Sequence, residues 1–487
     1  MIKRIAVQFL IFIVISGLNA QERITILHTN DIHGNYLHSV SKNKKSNGKP
    51  LEYGGFLALN HYLKKIDRET SGNYLLFDAG DYMTGNPICD IEVNGAKGGA
   101  LISFMNHVGY HGATIGNHEF DISVDNCKKL IDLCEFPVFS SNLFKANGEL
   151  FTEKPYHIYE KGNLKIGVIG VMVHELAGYL NAEQQQQVYT KPQADIVQAI
   201  AEKIDPETDL IIVLSHAGIE QDSYLAKQID DRVDIIIGGH SHTKLYDPRI
   251  INGKIILQAS SKLIYLGRLD VTVAEDTVQD YQNDLEFLNA THIKKDAALE
   301  AQVNKYTKII DERYGRIIGY LANPWKRNSR GESNIGNFLT DCIREFTDAD
   351  FAVLNSGGIR AGLPKGEIHA IDIKEILPFT NPICHFEISG QKLLKILETN
   401  AEATADRSFG ILQISGVKYR WSTNENGNAY VTDVKIGGEE LDPEKMYKVA
   451  TVDYVLANDE KYFGMNIDEF TNMGTPIADV VIQTIEK

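Results

Sequence analysis

The chain has 487 residues, of which 43% are hydrophobic and 23% charged. These values are ordinary for a soluble globular protein that is long enough to form two or more domains. Its formal net charge of −16 and isoelectric point of about 5.4 exclude a general electrostatic attraction for nucleic acid polymers or anionic membranes. A small anionic substrate must therefore be held by local cations, either metal ions or a few arginine side chains.

Residues 1–20 have the features of a secretory signal peptide. Lys3 and Arg4 form a basic start, residues 5–15 form an apolar run, and small residues end the segment at Ala20. The apolar run is much shorter than the roughly 20 residues that a membrane-spanning helix needs, which favours cleavage near Ala20 over an uncleaved anchor. We therefore expect a periplasmic or secreted mature protein without a membrane span.

Five cysteines leave at least one thiol unpaired in an oxidising compartment. Cys127 and Cys134 lie in a segment with a helical pattern, where a separation of two turns places their Cα atoms about 10 Å apart. This exceeds the roughly 7 Å limit for a disulfide. We expect both to be small core residues, and the five cysteines lack the CxxC spacing that is typical of metal sites.

Short β-branched runs alternate with helical patterns over residues 21–290, which we assign to a first domain. The predicted strands are residues 23–27, 74–78, 113–115, 165–171, 209–214, 233–237 and 254–258. The predicted helices are residues 56–69, 100–108, 124–134 and 192–203. Most strands are continuous apolar runs, which is typical of strands buried on both faces. The alternation indicates a layered α/β domain whose sheet is covered on both sides.

Residues 291–322 are predicted to form a linker helix, because apolar side chains recur at helical spacing in an otherwise charged stretch. Residues 323–325 (NPW) mark a break. Residues 323–487 are predicted to form a second α/β domain. Its expected helices are residues 334–346 and 391–398, and its expected strands are residues 351–354, 430–436 and 445–452.

Seven potential metal ligands lie on short turns after the predicted strands of the first domain. They are Asp31, His33, Asp81, Asn117, His216, His240 and His242. In open α/β sheets, ligands collect at the carboxyl ends of the strands, and glycines beside these residues let the backbone turn sharply. A single histidine on such a loop is more often structural than a metal ligand. Seven ligand residues at consecutive strand ends nevertheless favour a site for two divalent ions.

This mixture of side chains suits a dinuclear hydrolytic centre. Two cations about 3.5–4 Å apart need an anionic bridge, and Asp81 is the central candidate. Imidazoles combined with carboxylates favour Zn, Mn or Co over Mg. Water held between such ions is expected to become hydroxide near neutral pH and to attack phosphorus in line. His118 and Asp121 are candidates for a catalytic pair in which the carboxylate raises the basicity of the imidazole.

In the predicted second domain, residues 355–360 (NSGGIR) combine a strand end, a glycine turn and Arg360. A guanidinium group binds phosphate through paired hydrogen bonds. Phe379 follows Leu377 and Pro378 and has an aromatic face of the kind that stacks on bases. Taken alone, such an arginine is more often a surface residue, and such a phenylalanine is more often part of the core.

Four segments carry a resemblance to a known family: residues 28–34 (HTNDIHG), 78–81 (DAGD), 116–121 (GNHEFD) and 239–242 (GHSH). They resemble the calcineurin-like metallophosphoesterases and, more narrowly, the secreted 5′-nucleotidases, UDP-sugar hydrolases and 2′,3′-cyclic phosphodiesterases. The resemblance covers nearly the whole mature chain. It implies an α/β protein in which a four-layer αββα domain is joined by a linker helix to a C-terminal 5′-nucleotidase domain that binds the substrate.

The resemblance also implies a role for individual residues. One ion would be bound by Asp31, His33, Asp81 and His242, and the other by Asp81, Asn117, His216 and His240. The catalytic pair would be His118 and Asp121. The phosphate, ribose and base would be contacted by Arg330, Asn355, Arg360, Phe379 and Asn381. Arg327 is a competing match for the position of Arg330.

One departure from the family pattern concerns the second aromatic side chain that stacks on the base. In the family it precedes a Gly-Gly-Asp-Gly type of loop, whereas residues 453–463 here contain no glycine pair. Tyr454 is the first candidate, and Tyr462 and Phe463 are the alternatives. The sequence therefore does not select one nucleotide as the physiological substrate.

The function implied is that of an exported 5′-nucleotidase that releases phosphate from nucleoside monophosphates. The alternative is a UDP-sugar hydrolase, or a 2′,3′-cyclic phosphodiesterase with 3′-nucleotidase activity. A non-catalytic nucleotide-binding protein is a remote alternative. The reaction is expected in the cleft between the two domains, which are implied to rotate about a linker near residues 323–325. The sequence contains no feature that assigns an oligomeric state.

Overall fold

The computed structural model describes residues 21–46, 48–408 and 410–487, so the predicted signal peptide lies outside the described residues. Within these ranges, no helix combines the length and the apolar character that crossing a membrane requires. All five cysteines are free. Cys127 is fully buried and Cys134 partly buried, which confirms that they are packing residues and not a disulfide.

Two sheets form the centre of the first domain. The first contains, in spatial order, Thr277–Phe287, Tyr265–Ala274, Glu22–Thr29, Tyr74–Asp78 and Gly112–Ala113. The second contains Arg249–Ile251, Lys254–Leu257, Ile235–Gly238, Leu210–His216, Leu164–Met172 and Tyr156–Lys161. The inner strands of both sheets are parallel. Their carboxyl ends therefore lie along one edge of each sheet.

The apolar strands are buried on both faces because one face meets the other sheet and the opposite face meets helices. In Leu210–His216, Ile212 packs between the two sheets, whereas Ile211 and Val213 pack beneath the outer helices. The first sheet is covered by the helices Phe56–Thr70, Gly99–Val108, Val124–Leu133 and Ala297–Tyr314. The second is covered by Gln193–Ile204 and Ile219–Gln228. This is the four-layer αββα arrangement, which confirms the predicted fold class.

The β/α alternation alone indicates one sheet with layers on both of its faces, whereas the structure has two sheets packed against each other. Helices cover only one face of each sheet, and the other face is covered by the second sheet. The strands of these two sheets that were not predicted lie at the edges or next to an edge: Tyr156–Lys161, Arg249–Ile251, Tyr265–Ala274 and Thr277–Phe287. Their apolar and polar residues alternate or mix, since they are only half covered, so they lack the continuous apolar signal of the inner strands.

The helix Ala297–Tyr314 is part of the first domain and not a free-standing linker. Its apolar residues, at the spacing predicted, pack into the core of that domain. The next strand, Ile317–Leu321, already pairs with Gly366–His369 of the second domain. The chain therefore passes from one domain to the other at residues 315–316, ahead of the predicted start of the second domain at residue 323.

The break at residues 323–325 is attached to the second domain. The Trp325 N–H donates to the carbonyl of Leu363 at 2.8 Å, and the Leu363 N–H donates to the carbonyl of Trp325 at 3.1 Å. The Trp325 ring packs on Phe338 with ring centroids 4.9 Å apart.

The second domain is built around one five-stranded sheet. Its strands, in spatial order, are Leu412–Ser415, Phe351–Asn355, Met446–Val452, Pro382–Ser389 and Thr471–Pro476. Its helices are Asn334–Thr347, Ala370–Ile376, Gly390–Ala405, Asp453–Ala457, Asp459–Phe463 and Ile477–Glu486. The predicted strand at residues 430–436 belongs to a separate three-stranded sheet made of Val417–Thr423, Ala429–Ile436 and Glu439–Glu440.

Shorter elements decorate the loops of the first domain. The two-stranded sheets pair Ser39–Ser46 with Lys49–Tyr53, Glu92–Val93 with Ala96–Lys97, and Leu143–Lys145 with Val188–Thr190. One further helix spans Ala182–Gln185. Single 3-10 turns span Pro87–Asp90, His118–Phe120, Leu176–Tyr179 and Asp205–Glu207. Two of these turns, at His118 and at Tyr179, lie beside the candidate site.

Candidate metal centre

The structure brings the seven candidate ligands together at the carboxyl edges of the two sheets. The first sheet contributes Asp31, His33, Asp81 and Asn117. The second sheet contributes His216, His240 and His242. All are buried except His240 and His242, which are partly exposed. The cluster is thus open to the cleft on the side of these two histidines.

The backbone of the cluster is unusual. Asp31, His33, Asp81, His240 and His242 all have φ between 51° and 70°. Non-glycine residues rarely adopt this left-handed conformation, which costs of order 1–3 kcal/mol and is typical of functional sites. The strain is tolerated because each residue follows a strand end at which the chain must reverse while its side chain points into the cluster.

Two glycines allow the metal loops to approach each other. A Cβ atom on Gly116 would lie 2.2 Å from Oδ1 of Asp81, and one on Gly80 would lie 2.6 Å from the backbone nitrogen of Gly116. Any side chain at either position would push the two loops apart. The glycines in the sequence motifs are therefore needed for close approach.

Asp31, His33 and His242 form one group of potential ligands. Nε2 of His242 lies 3.3 Å from Oδ1 of Asp31 and 2.9 Å from Nε2 of His33. The carboxylate of Asp31 is held in place by the backbone N–H of His240, which donates to both of its oxygens at 3.0 and 3.1 Å. This bond ties the loop of the first sheet to the loop of the second.

Asp81, His216 and His240 form a second group. Nε2 of His216 lies 3.0 Å from Oδ2 of Asp81. Nδ1 of His240 lies 2.9 Å from Oδ1 of Asn117, which adds the amide oxygen to this group. A third combination joins Asp81 with His33 and His118. Asp81 is thus shared between groups, as a bridging carboxylate must be.

The chemistry of the donor atoms fits divalent cations. Nδ1 of His33 lies 2.9 Å from the carbonyl of Thr84, and Nδ1 of His216 lies 2.7 Å from the carbonyl of Ala79. A carbonyl oxygen accepts a hydrogen bond, so the neutral form of each ring carries its hydrogen on Nδ1 and presents a lone pair on Nε2 to the cluster. Nε2 of His216 is buried without a hydrogen-bond partner. A lone pair facing a carboxylate oxygen at 3.0 Å calls for a cation between them.

The electrostatics of the buried cluster agree with this assignment. Burial lowers the pKa of His33 to about 3 and that of His240 to about 4, so both rings are in the neutral form that binds metals. Burial opposes ionisation of Asp81, but the surrounding imidazoles outweigh it and hold the pKa of this carboxyl well below its usual range. Burial disfavours protonation of His216, yet Asp81 outweighs it and raises the pKa of His216 to about 10. The carboxylates therefore favour positive charge beside Nε2 of His216, which is a proton when no ion is bound and would be the cation when the neutral ring binds one.

His118 and Asp121 form the pair that the sequence predicts. Nδ1 of His118 lies 2.7 Å from Oδ2 of Asp121, and the same oxygen accepts a hydrogen bond from the Thr84 hydroxyl at 2.5 Å. The opposite nitrogen, Nε2, lies 3.9 Å from Oδ2 of Asp81. Burial lowers the pKa of His118, but the carboxylates of Asp121 and Asp81 outweigh it, so that the net shift is upward.

Glu119 is a residue whose role the sequence does not reveal. It is fully buried and accepts hydrogen bonds from the backbone N–H groups of Gly116, Asp81 and Met83 at 2.7, 3.0 and 3.0 Å. These bonds clamp the loop at residues 80–83 to the loop at residues 116–121. Its position inside the GNHEFD segment is the only available signal, because the bonds cross between loops that are distant in sequence.

One side chain of the second domain stacks on this pair. The Phe379 ring lies on His118 with centroids 5.7 Å apart and planes at 30°. The guanidinium carbon of Arg360 lies 5.9 Å from the centre of the Phe379 ring. Nη1 of Arg327 donates to the backbone carbonyl of Arg360 at 2.9 Å. The second domain thus places an aromatic ring against His118, with Arg360 next to that ring and Arg327 next to Arg360.

The other predicted substrate residues are less directly placed. Asn355 ends the strand Phe351–Asn355 and is buried, and Asn381 precedes the strand Pro382–Ser389. Arg330 is exposed in a turn, and its backbone N–H donates to the Asn328 side chain. Of the two arginines that compete for one role, Arg327 is the one that contacts Arg360.

The aromatic residues near the C-terminus fall into two groups. Phe463 is fully buried and packs on Phe386, so it is a core residue and not available to a base. Tyr454 and Tyr462 lie side by side with centroids 6.4 Å apart. The Tyr454 hydroxyl donates to the carbonyl of Gly178 at 3.1 Å, which places it against a loop of the first domain.

Family profiles match both halves of the chain. The profile of the calcineurin-like phosphoesterases matches residues 24–244, which contain all seven candidate ligands. The fold and the site therefore define a phosphoester hydrolase. The profile of the 5′-nucleotidase C-terminal domain matches residues 317–466, beginning at the strand Ile317–Leu321. The chain thus combines a calcineurin-like phosphoesterase domain with a 5′-nucleotidase C-terminal domain, which confirms the resemblance seen in the sequence.

Individual relatives agree with this assignment. The chain is 27% identical to the 5′-nucleotidase of Rattus norvegicus, over 94% of this chain and 87% of the relative. It is 26% identical to the trifunctional nucleotide phosphoesterase protein YfkN of Bacillus subtilis over 90% of this chain, but it spans only 32% of that relative's length. The fold matches the crystal structure of the 5′-nucleotidase precursor from Thermus thermophilus with a TM-score of 0.82, at 23% identity and 96% coverage of both chains.

Proposed function

We propose that the protein is an exported 5′-nucleotidase that converts nucleoside monophosphates into nucleosides and phosphate. The observation that carries the proposal is the Phe379 ring stacked on His118, with the Arg360 guanidinium over the Phe379 ring. An aromatic face binds a base by stacking, and a guanidinium group binds phosphate through paired hydrogen bonds. Their close spacing at the edge of the metal cluster suits a nucleotide with a single phosphate.

The ions proposed are two divalent cations, with Zn, Mn and Co as the expected metals. Asp31, His33, Asp81 and His242 would hold one of them. Asp81, Asn117, His216 and His240 would hold the other. When bound, the ions supply an activated water and neutralise charge on the phosphate.

The chain's own groups then position the substrate and manage the proton. Asp121 holds the Nδ1 hydrogen of His118 and favours the doubly protonated ring, so that Nε2 keeps a proton directed into the cleft. This proton stabilises the oxygen that leaves as the ester bond breaks. Arg360 grips the phosphate, and Phe379 stacks on the base.

Four further residues complete the proposed substrate site. We propose that Asn355 and Asn381 contact the nucleoside and that Tyr454 is the second aromatic residue at the base. We assign the second phosphate-binding arginine to Arg327 in preference to Arg330, because Arg327 contacts the Arg360 backbone. Arg327→Met and Arg330→Met distinguish the two assignments. Only the replacement of the arginine that binds phosphate should raise KM for AMP.

Export and domain motion belong to the same proposal. Export is supported by the basic, apolar and small-residue pattern of residues 1–20. We assign the hydrolytic domain to residues 21–316 and the substrate domain to residues 317–487. Rotation of the second domain about residues 315–316 would load and release substrate, because that segment lies between the last helix of one core and the first strand of the other.

The alternative is activity on UDP-sugars or on 2′,3′-cyclic nucleotides. It is favoured by residues 453–463, where the short helices Asp453–Ala457 and Asp459–Phe463 stand in place of a glycine loop. Such a change reshapes the pocket around the base or the group attached to it. The name of YfkN, a trifunctional nucleotide phosphoesterase, points the same way.

The test is phosphate release by the purified mature protein. AMP, UDP-glucose and 2′,3′-cyclic AMP are compared after loading with Mn, Zn or Co and again after chelation. Release from AMP that the chelator abolishes would support the proposal. Preference for the sugar nucleotide or the cyclic nucleotide would support the alternative, and no release from any of the three with metals bound would refute both.

A further inference from the structure

Tyr179 lies beside the metal cluster but belongs to none of the sequence motifs. It ends the 3-10 turn Leu176–Tyr179 and is 61 residues from His240 in sequence. Its ring meets the His240 ring edge-on, with centroids 5.2 Å apart and planes at 86°. Its hydroxyl oxygen lies 3.1 Å from Nε2 of His240.

The two nitrogens of His240 have different neighbours. Nδ1 faces Oδ1 of Asn117, a candidate ligand of the same ion, so Nδ1 is the nitrogen that points into the metal site. With an ion on Nδ1, the hydrogen of the neutral ring must lie on Nε2. The Tyr179 oxygen is then its acceptor. Such partners orient metal-binding histidines and fix which nitrogen carries the proton.

His240 depends on this contact more than the other histidines do. His33 and His216 are fully enclosed and direct Nδ1 to the backbone carbonyls of Thr84 and Ala79. His240 is partly exposed, and its corresponding partner is a side chain on a separate turn. The second domain supports that turn, because the Tyr454 hydroxyl donates to the carbonyl of Gly178.

We propose that Tyr179 is a positioning residue that fixes the orientation and tautomer of His240 and thereby sets the affinity of the ion held by His216, His240 and Asn117. The inference rests on the proposed dinuclear site. It assigns Tyr179 no contact with the reacting atoms. It also makes the second domain a support for one of the two ion sites, through Tyr454 and Gly178.

The test compares Tyr179→Phe with Tyr189→Phe in the full mature protein. Tyr189 is a matched control, because it is 38% exposed against 37% for Tyr179, and it stacks on Phe144 away from the cluster. Metal-free protein is titrated with Mn²⁺ and with Zn²⁺ by calorimetry. We expect one of the two binding events to weaken about ten- to hundredfold in Tyr179→Phe while the other is unchanged. With limiting metal, kcat for AMP should fall and KM should stay constant.

Wild-type affinity for both ions and a wild-type kcat in Tyr179→Phe would overturn the proposal. Equal weakening of both ions, or a lower Tm of the metal-free variant than of Tyr189→Phe, would also overturn it, because that pattern marks a general structural role. If the wild-type protein binds two ions but does not hydrolyse AMP, the selective loss in Tyr179→Phe would still support this proposal while the nucleotidase function fails.

Discussion

Replacement of Asp121 by asparagine tests the proposed role of His118 most directly. The change keeps the size of the side chain but removes the charge that lies 2.7 Å from Nδ1 of His118. The Asp121 carboxylate is a cause of the raised pKa of His118, acting against burial. In Asp121→Asn the pKa of His118 should therefore fall.

The size of the fall follows from the contact. Both side chains are largely shielded, with 13% and 14% of their surface exposed, so the bond to a charged partner is worth about 1.5–3 kcal/mol. Since the reaction is proposed to need protonated His118, activity is lost as the pH rises through the pKa of His118. The alkaline limb of the profile should therefore move to lower pH in Asp121→Asn.

The assay is kcat for AMP as a function of pH at saturating metal. Asp125→Asn is the matched control: it makes the same chemical change at a nearby exposed carboxylate, which is paired with Lys129. Its alkaline limb should coincide with that of the wild type. An alkaline limb that does not move in Asp121→Asn would refute the assignment of His118 as the proton donor.

Three further substitutions test the cluster and the substrate site. Asp81→Asn removes the shared carboxylate and should reduce the bound metal from two ions to at most one, with phosphate release lower by orders of magnitude; two ions by elemental analysis would contradict the bridging role. Gly116→Ala places a Cβ atom 2.2 Å from Oδ1 of Asp81. We therefore expect a similar loss of bound metal although no candidate ligand is removed. Unchanged metal content would show that the loops of Gly116 and Asp81 can move apart without losing the ions. Phe379→Ala should raise KM for AMP by about five- to hundredfold, since stacking contributes about 1–3 kcal/mol per base; steady-state kinetics with an unchanged KM would place the base elsewhere.

Local sequence patterns predicted that the seven candidate ligands lie after neighbouring strands, and the structure brings them together. Each candidate follows an apolar strand and lies beside a glycine or a short turn, and both signals are readable within a few residues. The inner strands were recognisable because burial on both faces demands continuous apolar runs. The outer strands were missed, since half-covered strands mix polar and apolar residues as loops do.

The contacts between distant segments were not predictable in the same way. The hydrogen bonds of Glu119 to three loop amides, the contact of Tyr179 with His240 and the choice of Arg327 over Arg330 all depend on which loops face each other. The break at residues 323–325 is a further case, because the sequence does not show that Trp325 pairs with Leu363 of the second domain.

The sequence by itself determined the fold class, the family and the set of candidate metal-binding side chains, because strand burial, turn geometry and ligand chemistry act over short stretches of chain. Only the tertiary structure decided that two sheets share one core, that the helix Ala297–Tyr314 packs into the core of the first domain and that Phe379 lies between His118 and Arg360. The physical reason is that the apolar face of a helix or strand must be buried, but its sequence does not specify which other element covers it. The partner is selected by packing between elements that can lie hundreds of residues apart.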